Sequence, residues 1–191
     1  MSRGPEQGRS SAARGRRMAD KARVGTRPPK PRVQVADPRD DGPDIGVEAR
    51  LAAGVLLNAA LEGRGGLDTA LSFREVADLP GPDRAFARAV AMAALRRLGE
   101  IDQILDRKLQ KGPPLAVRTI LRVALAQTLV LETPAFAAVS TAVKLAEREV
   151  KTRPYKNLVN AVLRGIEREG PGLTTAESNL PEWLVARWRA T

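Results

Sequence analysis

The chain has 191 residues, 43% of them hydrophobic and only 3% aromatic, with 32 basic and 22 acidic residues for a net charge of +10. It contains no cysteine and no histidine, which excludes disulfides, thiolate zinc sites, thiol nucleophiles and imidazole acid–base chemistry. A core filled by Leu, Val, Ile and Ala suits packed helices better than aromatic-rich strands.

Residues 1–44 carry few large apolar side chains and many Pro, Gly, Ser and Arg, and are expected to be a disordered basic tail. Ten Lys or Arg stand against two acids in residues 1–36, so most of the net charge lies there. Such a segment is either an arm adding salt-sensitive affinity for nucleic acid or a solvated extension. An Arg-rich, acid-poor start also has the composition of an organelle transit peptide, though Pro28, Pro29 and Pro31 break any long amphipathic helix. It lacks the apolar centre of a secretory signal, and no apolar run is long enough to span a membrane.

From Gly46 the pattern becomes periodic. Val47, Leu51, Val55, Leu57, Asn58 and Leu61 predict a helix over 46–62, stopped by Gly63, Gly65 and Gly66. Leu67, Ala70, Leu71 and Val76 suggest a short second helix. Leu79-Pro80-Gly81-Pro82 reads as a loop, and Asp83 as the N-cap of a third helix to Leu98 with Phe86, Val90, Ala93 and Ala94 inward. Gly99 marks a turn or kink. Ile101, Ile104, Leu105 and Leu109 give a fourth helix with Asp102, Gln103, Asp106 and Lys108 outward. Gly112-Pro113-Pro114 precedes a fifth helix, 115–131, apolar nearly all round and therefore central. A sixth, 135–150, follows Thr133-Pro134, and a seventh, 155–169, ends at Gly170-Pro171-Gly172. Strand alternation is not found. The expectation is an all-α bundle of about seven helices over residues 45–170, with 171–191 as a linker and the start of a further region.

At 100° per residue, Tyr155, Leu158, Val159, Val162, Leu163 and Ile166 fall on one arc of the seventh helix, and Lys156, Asn160, Arg164 and Arg168 form a separate row. A cationic row beside a buried face suits a phosphate-bearing partner. Arg148, Lys151, Arg153 and Lys156 cluster before this helix, as a phosphate-binding fork or a solvated charge run. The Asn160 amide either bonds a base edge or satisfies a helix neighbour. Arg118 and Arg122, one turn apart on an apolar helix, must pair with acids or reach RNA at an edge. Glu147 with Glu149, and Asp102 with Asp106, read as solvated faces rather than acid–base pairs. No phosphate loop and no dinucleotide turn is present, and no metal or cofactor site is read from the residues. Trp183, Leu184 and Trp188 are expected on one face of a short terminal helix, folded back on the bundle or awaiting a partner domain.

Several segments carry a family resemblance: Asp83-Arg84-Ala85-Phe86-Ala87-Arg88 with Leu95-Arg96-Arg97-Leu98, Arg118-Thr119-Ile120-Leu121-Arg122, Pro134-Ala135-Phe136-Ala137-Ala138-Val139, Ala142-Val143-Lys144-Leu145-Ala146 and Leu158-Val159-Asn160-Ala161-Val162-Leu163-Arg164. Together they resemble the NusB-type RNA-binding fold, and in detail the amino-terminal domain of the bacterial ribosomal RNA small-subunit (cytosine-5) methyltransferase B family. The ending Ala161-Val162-Leu163-Arg164 and Asn179-Leu180-Pro181-Glu182-Trp183-Leu184 favour that branch over a stand-alone NusB-like antitermination factor, which would bind RNA and a ribosomal protein. The resemblance implies a cytoplasmic RNA-docking accessory domain. Its RNA would be ribosomal, and its protein partner a methyltransferase catalytic domain or a ribosomal protein. The family's catalytic domain binds S-adenosylmethionine and attacks cytosine with a cysteine, and this chain has no cysteine. Ser140-Thr141 stands where the family carries a polar pair ending in glutamate. The implied RNA contacts are Arg118, Arg122, Arg148, Lys151, Arg153, Lys156, Asn160 and Arg164, with no catalytic residue in the chain.

Overall fold

The structure, a computed structural model, describes residues 46–63 and 66–190. The basic segment 1–44 lies outside the described residues. Nine helices are described: α1 (Val47–Leu61), α2 (Gly66–Ala70), α3 (Arg74–Ala77), α4 (Gly81–Arg96), α5 (Leu98–Lys108), α6 (Leu115–Leu129), α7 (Ala135–Arg148), α8 (Lys156–Glu169) and α9 (Glu182–Arg189). Single 3-10 turns at Arg153–Tyr155 and Ala176–Asn179 precede α8 and α9. The described residues contain no strand.

The apolar helix α6 is central, as its sequence predicts. It packs against α1, α4, α5, α7 and α8. Its Val117, Leu121, Val123, Leu125 and Ala126 are buried, with Leu56 and Leu57 of α1, Val90 of α4, Ile101, Ile104 and Leu105 of α5, and Val159 of α8 in the same core. Hydrophobic burial of these side chains drives the packing. Buried polar groups are matched within it. Thr119 donates to the Asn58 Oδ1 (2.7 Å). Gln127 donates to the Val123 carbonyl (3.0 Å) and accepts from the Arg50 Nε (2.8 Å), whose guanidinium lies 4.8 Å from the centre of the Phe86 ring. Burial lowers the Arg50 pKa, partly opposed by Asp83.

Three local expectations are corrected. The expected second helix is two single turns, α2 and α3, separated by Leu71–Phe73. The third helix begins at Gly81 behind Pro80, so Pro80 holds the N-cap position and Asp83 sits in the first turn. Proline's fixed φ and missing N–H suit a helix entrance, and Pro114, Pro134 and Pro181 occupy the same position before α6, α7 and α9. The break between α4 and α5 falls at Arg97 (φ −118°, ψ 24°), not at Gly99, the second residue of α5. Gly99 serves a packing role: a Cβ there would lie 1.6 Å from the Ser178 carbonyl oxygen.

That close approach docks residues 174–180 on α5. The Asn179 Oδ1 accepts from the Glu100 N–H (3.0 Å), and Thr174 donates to the Glu100 carboxylate (2.8 Å). Arg97 pairs with the same carboxylate. Its hydrogen bond holds the Glu100 carboxyl below its ordinary pKa against the opposing effect of burial, with Thr174 and Asn179 acting in the same sense. Arg107 caps the preceding turn by donating to the carbonyls of Pro171 (2.6 Å) and Leu173 (2.8 Å).

Candidate nucleic-acid interface

The strongly amphipathic pattern of residues 156–169 produces α8 with Val159, Val162, Leu163 and Ile166 buried. Lys156, Asn160, Arg164 and Arg168 are exposed along one row. The turn at Thr152 brings the end of α7 to the start of this row. Its hydroxyl, buried, donates to the Ala146 carbonyl (2.8 Å), which fixes the α7–α8 corner. Arg148, Lys151 and Arg153 project from that corner and are exposed. Six of the residues read from the sequence thus share one edge of the bundle.

Most of these cations already have partners. Lys156 Nζ lies 2.8 Å from Glu147, Arg164 3.3 Å from Glu167 and Arg168 2.8 Å from Glu169. Arg148 pairs with Glu48 of α1. Arg153 Nε donates to the Glu147 carbonyl (3.0 Å). Lys108 and Arg168 together hold the Glu169 carboxyl below its ordinary range. Lys151 and the Asn160 amide have no side-chain partner among the described residues. Glu147 and Glu149 are exposed, as expected, with Glu147 paired to Lys156. Exposed pairs of this kind contribute about 0–1 kcal/mol each, so a phosphate can displace the carboxylate at small cost.

Arg118 and Arg122 stand apart from this edge, in a different role. On α6 they face α5. Arg122 sends Nε and Nη2 to the two oxygens of Asp102 (2.8 and 2.7 Å), with its side chain 10% exposed. Arg118 bridges Asp102 (3.1 Å) and Asp106 (2.8 Å). Burial disfavours its charge, but Asp106 and Asp102 outweigh that effect and its pKa is raised. Both guanidinium groups are thus engaged with α5 carboxylates, Arg122 nearly buried and Arg118 at a partly exposed rim. The expectation of a solvated face is corrected for Asp102, which is largely covered, and holds for Asp106, which is exposed.

Trp183 and Trp188 are 67% and 63% exposed. They do not fold back on the bundle, and only Trp188, one turn from Leu184, shares its face closely. Five residues along a helix turn the side chain by about 140°, and Leu184 is half-buried between the two directions. Thr141, in the substituted polar pair, is turned inward on its own helix, its hydroxyl donating to the Ala137 carbonyl (2.6 Å).

Sequence reasoning missed a second basic surface. Arg84, Arg88 and Arg96 of α4 are exposed and have no side-chain partner among the described residues. They line a groove of about 750 Å³ shared with Leu71, Val130 and Leu131. Part of the signal was available: Arg84 and Arg88 have no acid three or four residues away, whereas Arg96 has Glu100, which only the structure shows to be paired with Arg97.

The NusB family model matches residues 48–168. This chain belongs to the NusB family. It is 34% identical over 152 residues to the ribosomal RNA small subunit methyltransferase B of Xanthomonas campestris pv. campestris, covering 76% of this chain and 34% of that protein. The enzyme of the same name from Thermus thermophilus is 38% identical over 149 residues, covering 75% of this chain and 35% of that one. The chain thus spans about a third of the length of these relatives. Among solved structures, a chain in the crystal structure of a plectonemic RNA supercoil superimposes with a TM-score of 0.54 at 20% identity, covering 67% of this chain and 97% of that chain. That likeness shows the fold.

Proposed function

We propose that this NusB-family bundle docks RNA through the α7–α8 edge, serving a ribosomal RNA cytosine-C5 methyltransferase in the cytoplasm as its RNA-holding part. The observation that carries the reading is the exposed row Lys156, Asn160 and Arg164 continuing from Arg148, Lys151 and Arg153, with exchangeable ion pairs and an unpartnered amide. The similarity to methyltransferase B over about a third of those enzymes' length gives the RNA its proposed class. Residues 1–36 would add long-range attraction through their excess of cations. Trp183, Leu184 and Trp188 would meet a catalytic domain, with the two indoles supplying contact in different directions.

The chain would transfer no methyl group by itself. Cytosine C5 becomes nucleophilic only after a nucleophile adds at C6, and no thiolate is available here. No strand–turn–helix unit to cradle S-adenosylmethionine occurs among the described residues.

Filter-binding titrations on a small-subunit ribosomal RNA fragment at two salt concentrations test the reading. Affinity should fall steeply with salt. Lys156→Glu with Arg164→Glu should weaken binding and flatten the slope by about one unit for each phosphate no longer neutralised. Removing residues 1–36 should do the same without reducing helicity. Undetectable binding by the full chain at low salt would sink the reading.

A further inference from the structure

We propose that the groove on α4 docks an acidic amphipathic helix of a protein partner. The groove is separate from the α7–α8 edge: α4 packs chiefly on α1 and α6, and no residue of α7 or α8 lines the groove. The inference therefore stands apart from RNA docking.

Charge specifies the sign of the occupant. Arg84 and Arg88 are one helical turn apart, about 6 Å along the axis, and Arg96 lies about 12 Å further on. None of the three has a carboxylate partner among the described residues, in contrast with Arg148, Lys156, Arg164 and Arg168 at the other edge. Like charges one turn apart repel. An anionic partner relieves that repulsion. The chain's own basic segment, residues 1–36, has the wrong sign to fill the site.

The floor specifies a helix. Between the arginines α4 exposes Ala85 and Ala89, whose single methyl groups let another backbone approach closely, and the half-buried Met92, which adapts its shape. Leu71, Val130 and Leu131 close the far side with apolar surface. The distance from Arg84 to Arg96, about 18 Å, is the length of a helix of about twelve residues. Acids flanking an apolar stripe on such a helix would meet the arginines while the stripe covers the alanines. No aromatic ring and no side-chain amide lines the groove, so it offers a nucleic acid nothing on which to stack a base or read its edge.

The test uses the full chain and a synthetic helix of about sixteen residues, with leucines on one face and glutamates on both flanks. Saturable binding should shift the methyl resonances of Ala85, Ala89 and Met92 and spare those of Val162 and Leu163. A peptide with lysine for every glutamate should bind at least about tenfold more weakly. The triple variant Arg84→Glu, Arg88→Glu, Arg96→Glu should reverse that preference. Ala89→Leu, which fills the floor without altering charge, should weaken the glutamate peptide by a similar factor, and circular dichroism of each variant should match the parent. No binding of the glutamate peptide, equal binding of the two peptides, or binding that survives the triple variant would overturn the proposal. A single-stranded RNA that shifts the same methyls and no longer does so in the triple variant would also overturn it, by assigning the groove to nucleic acid.

Discussion

Arg122 of α6 holds both carboxylate oxygens of Asp102 across a separation of twenty residues, through Nε and Nη2 at 2.8 and 2.7 Å. The pair is largely shielded from water, and Arg118 shares the same carboxylate. Asp102→Ala should therefore destabilise the bundle by about 3 kcal/mol, since it leaves a guanidinium desolvated without its counter-charge. Arg122→Ala should lose a similar amount, and the double variant less than both losses together. Urea unfolding of the three variants decides this. Additive losses would mean that the two residues stabilise the fold independently.

Val162→Asp should cost about 3–5 kcal/mol by placing an unpaired carboxylate in the buried face of α8. Arg164→Ala should stay within about 0.5 kcal/mol, because its pair with Glu167 is exposed. Thermal melts compare them. An equal loss would recast Arg164 as a structural residue and weaken its assignment to the RNA edge.

Gly99→Ala should undock residues 174–180 while sparing the bundle. The new methyl collides with the Ser178 carbonyl, and the segment yields more readily than α5. The expected cost is about 1–3 kcal/mol. Limited proteolysis should show faster cleavage after residue 173, with the helical signal little changed. An unaltered cleavage pattern would mean that the close approach is not needed for docking.

Acid should loosen the same segment. The Glu100 carboxyl is held below its ordinary pKa, so its contribution is complete above the ordinary carboxylate range and is lost as pH falls through the lowered folded value. Hydrogen exchange in residues 174–180 should rise over that acid window. Glu100→Gln should raise exchange at neutral pH and remove the glutamate-dependent step. A step of the same size in Glu100→Gln would assign it to another group.

Periodicity alone made the bundle legible. The apolar surround of residues 115–129 put α6 at the centre, and the arc of residues 155–166 gave α8 its buried face. What escaped depends on partners distant in sequence. Nothing near Arg122 announces Asp102, and nothing near Gly99 announces Ser178. Asp83 is a good N-cap residue by itself, but Pro80 and Pro82 set the backbone entering α4 and start the helix three residues earlier. Of the site, the exposed row on α8 was legible because one helix supplies it. The α4 arginines were legible only in part, from the lack of acids three or four residues from Arg84 and Arg88, because the groove they line is completed by Leu71, Val130 and Leu131, distant in sequence.

The placement of the indoles has a spectroscopic consequence. Trp183 and Trp188 are the chain's only tryptophans, and both lie on α9, exposed and outside the core. Intrinsic tryptophan emission from this protein therefore starts red-shifted and is nearly blind to melting of the bundle. Its anisotropy instead follows how firmly α9 is held. A quencher titration thus becomes a direct assay for anything that covers this end of the molecule, while unfolding must be followed by circular dichroism or by Tyr155, the single tyrosine, which is half-buried at the start of α8.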